Sequence, residues 1–122
     1  MRALILALLM SVPSLAAAQP APRTVEVRLS SFDFTPSEIR LRAGEPVTLH
    51  LVNTGRGGHN FSAPQFFAAA RGVSGPVQRG AVEVGSHGSV DVRVTPAAGH
   101  YRLRCTHSLH TAFGMTGNIT VE

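Results

Sequence analysis

The stretch GHYRLRCTHSLHTAFGMTGNITV, residues 99–121, decides how we interpret this chain. It starts with apolar residues that alternate with basic ones, and Cys105 continues the inward-facing parity of the apolar set. Four residues separate Cys105 from His110, and four more separate His110 from Met115. The pattern predicts a β-strand that leads into a loop carrying a thiol, an imidazole and a thioether.

The alternation of apolar and polar residues recurs along the rest of the chain. It marks strands at residues 24–30, 39–42, 47–51, 90–94 and 101–105, with shorter strands at 81–84 and 118–121. Turn-forming stretches such as AGEP and GSHG separate them. About seven short strands joined by turns predict an all-β sandwich or barrel.

One segment, SAPQFFAAARG at residues 62–72, breaks this alternation. Ser62 precedes Gln65 by three residues, and an alanine run ends at a glycine, which predicts a capping box and a short helix. We expect residues 63–80 to form an insertion between strands, with a loop after the helix. Phe66 and Phe67 are expected to anchor it to the sandwich.

The N-terminus is typical of a secretory signal peptide, assigned to residues 1–18. A positive start precedes an apolar run at 3–12, and small residues end at Ala18. The apolar run falls short of the ~20 residues that span a bilayer, so no membrane span is expected. We expect cleavage near Ala18, export to the periplasm or otherwise out of the cytoplasm, a flexible segment at 19–23, and one domain at 24–122.

The charge is modestly positive, with a formal net charge of +4 at pH 7, and every basic side chain is arginine. The strand arginines alternate with apolar residues, which favours solvated outer faces over a nucleic-acid surface. They are Arg28, Arg40, Arg42, Arg93, Arg102 and Arg104. We expect no nucleic-acid partner and at most a weak preference for acidic ones.

Cys105 is the only cysteine, so it can form no intramolecular disulfide in an oxidising compartment. A lone cysteine is ordinarily an inert buried thiol. Here the only methionine beyond the signal peptide, Met115, lies in the same eleven-residue stretch. Thiolate, imidazole and thioether together are a ligand set for copper, and methionine is a poor ligand for zinc. A second imidazole is available from His59, which follows a glycine-rich turn in NTGRGGHNF, residues 53–61.

Taken together, FDFTPSEIRLRAGEPVTLHLVNTGRGGHNF at 32–61 and the stretch at 99–121 resemble the two halves of the cupredoxins, the small blue copper proteins. The resemblance covers nearly all of the chain after the signal peptide. It implies a Greek-key β-sandwich that holds one copper ion cycling between Cu(I) and Cu(II). The implied ligands are His59, Cys105 and His110 in the equatorial plane and Met115 on the axis.

The resemblance also implies supporting contacts. The carbonyl of Gly58 is a candidate for a distant contact with the metal, and Asn60 is expected to hydrogen-bond around Cys105 or Thr106, which fixes the ligand geometry.

Several histidines and one phenylalanine need separate interpretation. His107 lies inside the ligand loop and is an alternative ligand to His110, although a solvent-facing role is favoured. His50, His87 and His100 are interpreted as surface residues. Phe113 either forms part of an apolar collar around His110 or packs in the core.

The implied function is one-electron transfer by a monomer, without chemical change of any substrate. Electrons would leave through the edge of His110 to a redox protein docked transiently nearby. The alternative is a periplasmic copper carrier or copper-resistance protein, against which the lack of methionine-rich and histidine-rich tracts argues. An oxidase or reductase would need a second metal site, for which the chain is short.

Overall fold

The structure of the protein is a computed structural model that describes residues 10–15, 22–107 and 114–122. Within these ranges ten strands and one helix follow in order. They are β1 Arg23–Ser30, β2 Asp33–Thr35, β3 Glu38–Leu41, β4 Val47–Asn53, β5 His59–Ser62, α1 Pro64–Ala69, β6 Arg71–Ser74, β7 Ala81–Val84, β8 Ser89–Thr95, β9 Gly99–Arg104 and β10 Thr116–Val121. In this part of the chain no helix is long and apolar enough to cross a bilayer.

The strands form two five-stranded sheets, in the orders β2-β1-β4-β8-β6 and β3-β10-β9-β5-β7. The pairs β1–β4 and β3–β10 are parallel, and the other pairs are antiparallel. The predicted all-β sandwich with one short helix is therefore confirmed. Three strands were not predicted: β2, β5 and β6. Each has only three or four residues, and β5 is buried on both faces, so it shows no alternation.

The core lies between the two sheets, and most of the apolar residues predicted to alternate inward belong to it, joined by others such as Phe61 on the unpredicted β5. Fully buried members come from both sheets: Val27, Leu29, Leu49, Leu51, Val92 and Val94 from one, and Phe61, Val82, Val84, Leu103 and Ile119 from the other. The six alternating arginines are exposed, as predicted. In the strands that show period-two alternation, the pattern thus indicates which face is buried.

The helical segment forms, but the predicted capping box is wrong. The residue that caps α1 is Ala63, and no side chain caps the helix. Ser62 is instead the last residue of β5, paired with Ala81 and Arg104. Strand pairing requires an extended backbone at Ser62, and Pro64 at the first helical position needs no hydrogen-bond acceptor.

The loop predicted directly after the helix is also partly wrong. Arg71–Ser74 forms β6, which pairs with β8 at the edge of the other sheet. Its side chains are exposed throughout, so no alternation marked it in the sequence.

Two phenylalanines of α1 anchor the insertion, as predicted. Phe66 and Phe67 are buried. The ring of Phe66 meets that of Tyr101 on β9 edge to face, with centroids 5.6 Å apart, and Phe67 contacts Phe61 on β5 at 6.1 Å. The helix is therefore part of the core that supports β5 and β9.

Replacing Phe66 by Ala should lower the free energy of unfolding by about 3–5 kcal/mol, because it leaves a cavity between α1 and β9. Chemical denaturation measures this loss. Gln65→Ala, at the preceding exposed position of α1, is the matched control and should change stability by less than about 0.5 kcal/mol. Equal effects of the two substitutions would show that α1 does not support the core.

Candidate metal centre

Adjacent strands bring His59 and Cys105 to the same end of the sandwich. The strands β5 and β9 are neighbours, joined at Ser62 and Arg104. The backbone N–H of Asn60, directly after His59, donates a hydrogen bond to Sγ of Cys105 at 3.4 Å. His59 is 4% exposed and Cys105 is fully buried. The imidazole-bearing residue and the thiol thus meet inside the protein.

Met115 joins them from the start of β10. The backbone N–H of Cys105 donates to the carbonyl of Met115 at 3.1 Å, next to the Arg104–Thr116 pair of the β9–β10 ladder. The side chain of Met115 is fully buried. The structure therefore gathers three predicted ligands, whereas His110 and Phe113 lie outside the described residues.

The donor chemistry at this end of the sandwich fits copper. Cys105, Met115 and His59 are all buried here and offer a thiol, a thioether and an imidazole, and soft sulfur with imidazole is the combination that copper prefers. Within the described ranges no group of three or more histidine, cysteine, aspartate and glutamate residues could hold a metal. Met115 is not of these residue types, and His110 lies outside the described residues.

Asn60 clamps the backbone that follows the cysteine. Its Nδ2 donates to Oγ1 of Thr106 at 2.6 Å, and its Oδ1 accepts from the backbone N–H of Thr106 at 2.8 Å. With the bond to Cys105 Sγ, three hydrogen bonds join Asn60 to two consecutive residues. The hydrogen bonds expected between Asn60 and this segment are therefore present.

Glu83 on β7 extends this clamp. Its Oε1 accepts from Nδ2 of Asn60 at 2.9 Å, and its Oε2 lies 2.8 Å from Nε2 of His107. Burial by itself would raise the pKa of Glu83. The hydrogen bonds from Asn60 and His107 and the charge of His107 outweigh it, and hold that pKa below its usual value. An ionised carboxylate only accepts hydrogen bonds, so Nε2 of His107 carries the proton.

His107 lies over the turn that precedes His59. A Cβ placed on Gly58 would lie 3.3 Å from Cε1 of His107, so the ring sits close above this glycine. The side chain of His107 is 34% exposed. His107 is thus partly buried and bonded to Glu83, and whether it ligates a metal stays a prediction. The closeness of its ring offers a reason for glycine at position 58 besides a carbonyl contact with a metal.

Asn53 is a structural residue that the sequence analysis missed. It is buried, and its Nδ2 donates to the carbonyls of Gly57 at 2.8 Å and Val84 at 3.0 Å. Its Oδ1 accepts from the backbone N–H of Gly55 at 2.8 Å. These bonds hold the turn before His59. An asparagine at a strand end followed by Thr-Gly is a recognisable signal for such a turn.

The other histidines lie elsewhere, as predicted. Nδ1 of His50 pairs with Asp91 at 2.5 Å, and His100 lies 3.3 Å from Oγ1 of Thr120. His87 lies in the turn between β7 and β8 and has a positive φ of 56°.

Gly55→Ala should displace the ring of His59. The added Cβ would lie 3.1 Å from Nε2 of His59 and 3.3 Å from Oδ1 of Asn53, closer than most Cβ contacts. We expect a loss of about 1–3 kcal/mol in the free energy of unfolding and shifted ring signals of His59 in NMR spectra. Gly57→Ala, in the same turn, is the control, because its Cβ would meet nothing within 4 Å. If both variants match the parent protein, the turn does not constrain His59.

Solved structures with the same fold include three auracyanins. Auracyanin B is 27% identical, covering 86% of this chain and 93% of its own, with a TM-score of 0.64. The dithionite-reduced auracyanin of Roseiflexus castenholzii is 26% identical, covering 84% and 99%, with a TM-score of 0.65. Auracyanin A, described as a "blue" copper protein of Chloroflexus aurantiacus, is 22% identical, covering 84% and 100%, with a TM-score of 0.60. At that last identity the likeness shows the fold alone.

Multicopper oxidases also share the fold, at 13% and 16% identity. No match was found among curated protein sequences. The model of the cupredoxin-like domain family matches residues 1–121, nearly the whole chain. Together with the two-sheet sandwich and the sulfur and imidazole donors gathered at one end of it, this match shows that the chain belongs to the cupredoxin-like family.

Proposed function

We propose that this protein carries single electrons with one copper ion held by His59, Cys105, His110 and Met115. The observation that carries the proposal is the hydrogen bond from the backbone N–H of Asn60 to Sγ of Cys105 at 3.4 Å. It joins the segment of one predicted ligand to the sulfur of another, in a place where both residues are buried. A cysteine that only packed in the core would not need a hydrogen bond to its sulfur. This bond therefore favours a ligand role for Cys105.

The chain's own residues suit electron transfer. When bound, copper would supply one-electron chemistry between Cu(I) and Cu(II). The N–H of Asn60 takes up part of the negative charge on the thiolate, which tunes the potential. The Asn60–Thr106 clamp and the turn held by Asn53 keep the surrounding backbone in place. Burial of both sulfur side chains excludes water.

The comparisons support the same proposal. The Roseiflexus castenholzii structure, at 26% identity, is that of a dithionite-reduced auracyanin. This chain covers 99% of that protein and 93% of auracyanin B, which is 27% identical. This similarity favours an electron carrier over an enzyme. We assign the finer roles on the same basis: Asn60 and Thr106 support the ligands, and the carbonyl of Gly58 makes a weak contact with the metal.

The remaining features of the proposed carrier follow from the sequence. Residues 1–18 would direct export to the periplasm or beyond and be removed near Ala18. The folded protein would act as a monomer. A redox protein would dock transiently at the edge of His110, with a weak preference for an acidic surface because the chain is positively charged.

Loading the mature protein with Cu(II) tests the function. A stable oxidised form should show intense visible absorption from the thiolate and a type 1 paramagnetic-resonance spectrum, which one equivalent of reductant removes. Colourless protein that holds only Cu(I) would instead identify a copper carrier.

Substitutions in the ligand loop test the ligand assignment. Cys105→Ala and His110→Ala should abolish the visible absorption, since each removes an equatorial ligand. His107→Ala should keep most of it, because Nε2 of His107 is engaged by Glu83. His100→Ala, a surface histidine on β9, is the control. If His107→Ala loses the visible absorption and His110→Ala keeps it, His107 is the ligand and His110 is not.

A further inference from the structure

Glu83 is the residue through which β7 reaches the segment around Cys105. It lies on the outer face of its sheet, opposite Asn60 in the β5–β7 register. One carboxylate oxygen accepts from Asn60 and the other lies against His107, at 2.9 and 2.8 Å. Both partners of Glu83 are linked to Cys105: Asn60 bonds its sulfur, and His107 follows it by two residues in the chain.

The side chain of Asn60 depends on its hydrogen bond to Glu83 to keep its orientation. Its side-chain amide donates both hydrogens, one to Thr106 and one to Glu83, while its oxygen accepts from the Thr106 backbone. Without Glu83 the amide would keep its contacts with Thr106 only, and rotation of the side chain would break them together. Charge-assisted bonds to a carboxylate are about twice as strong as bonds between neutral groups.

The bond between Glu83 and His107 decides which ring nitrogen of His107 carries a proton. Because the carboxylate can only accept, Nε2 of His107 must donate, and that nitrogen is not available to a metal. The ring is held against β7 and above Gly58. His107, the second imidazole in the ligand loop, therefore cannot use Nε2 to replace His110 as a metal ligand.

We propose that Glu83 is a positioning residue for the metal centre, which holds Asn60 against Thr106 and holds His107 out of the ligand set. The proposal depends on the proposed copper site only for its redox consequence. Asn60, Glu83 and Thr106 line a surface cavity of about 730 Å³, together with Arg79 and Arg104. Among the described residues, the hydrogen-bond partners of Glu83 are Asn60 and His107.

The first test uses metal-free protein and amide hydrogen exchange. In Glu83→Ala the backbone amide of Thr106, which donates to Asn60, should exchange about fivefold to tenfold faster than in the parent protein. In Glu83→Gln the remaining carbonyl oxygen can still accept from Asn60, so Thr106 should stay within about twofold. Glu38→Ala is the matched control, because Glu38 accepts from Asn118 on the same sheet at 2.8 Å. It should leave Thr106 unchanged.

The second test follows the ring nitrogens of His107 by NMR. In the parent protein the neutral ring should carry its proton on Nε2. In Glu83→Gln this preference should weaken, because the amide nitrogen of glutamine cannot accept from Nε2. This variant keeps the size of the side chain, so it remains informative if Glu83→Ala fails to fold. An unchanged proton position would overturn the proposed hold on His107.

Copper-loaded protein provides the redox measurement. At a fixed applied potential, Glu83→Ala should change the ratio of Cu(I) to Cu(II) by about threefold or more and shift the thiolate absorption, whereas Glu38→Ala should change neither. The proposal is wrong if Thr106 exchange in Glu83→Ala stays within twofold of the parent value, or if Glu38→Ala reproduces its effects. If the metal-free results hold but Cu(II) produces no thiolate absorption, the role of Glu83 stands and the proposed electron transfer fails.

Discussion

The hydrogen bond from Asn60 to the sulfur of Cys105 is the contact on which the proposed centre depends. It exists because β5 and β9 are neighbours in one sheet, although 45 residues separate its two partners in the chain. A thiolate taken out of water needs compensation for its charge, and a backbone N–H directed at the sulfur supplies part of it. The pairing of β5 with β9 therefore accounts both for the burial of Cys105 and for the position of His59.

Around this contact the protein uses two kinds of support. Apolar packing acts from inside, where Phe61 on β5 meets Phe67 of α1 and Phe66 meets Tyr101 on β9. Polar bonds act from outside, where Asn60, Glu83 and the segment after Cys105 are joined. The helix-containing insertion supports β5 and β9 through its aromatic contacts. Inner packing and outer hydrogen bonds thus restrict the same two strands.

Much of the fold could be predicted because period-two alternation reports burial directly. Seven strands, the inward parity of Cys105 and the exposed arginines followed from it. The strands that it missed carry no such signal: β5 is buried on both faces and β6 is exposed on both. Ser62 had the sequence of a helix cap, yet pairing with Ala81 and Arg104 made it the end of a strand. Local propensity is a weak prior where tertiary pairing competes with it.

The sequence by itself determined the chemistry that is available: one thiol, one thioether beyond the N-terminal apolar segment, and histidines at spacings that resemble a copper protein. It also determined the sandwich class, since alternation and turn residues are local properties. Only the tertiary structure decided which distant residues meet. The resemblance already implied the bond from Asn60 to Cys105, but that Asn53 holds the turn before His59 and that Glu83 on β7 engages His107 depend on strand order. Strand order is set by packing across the whole core, and no local pattern in the chain encodes it.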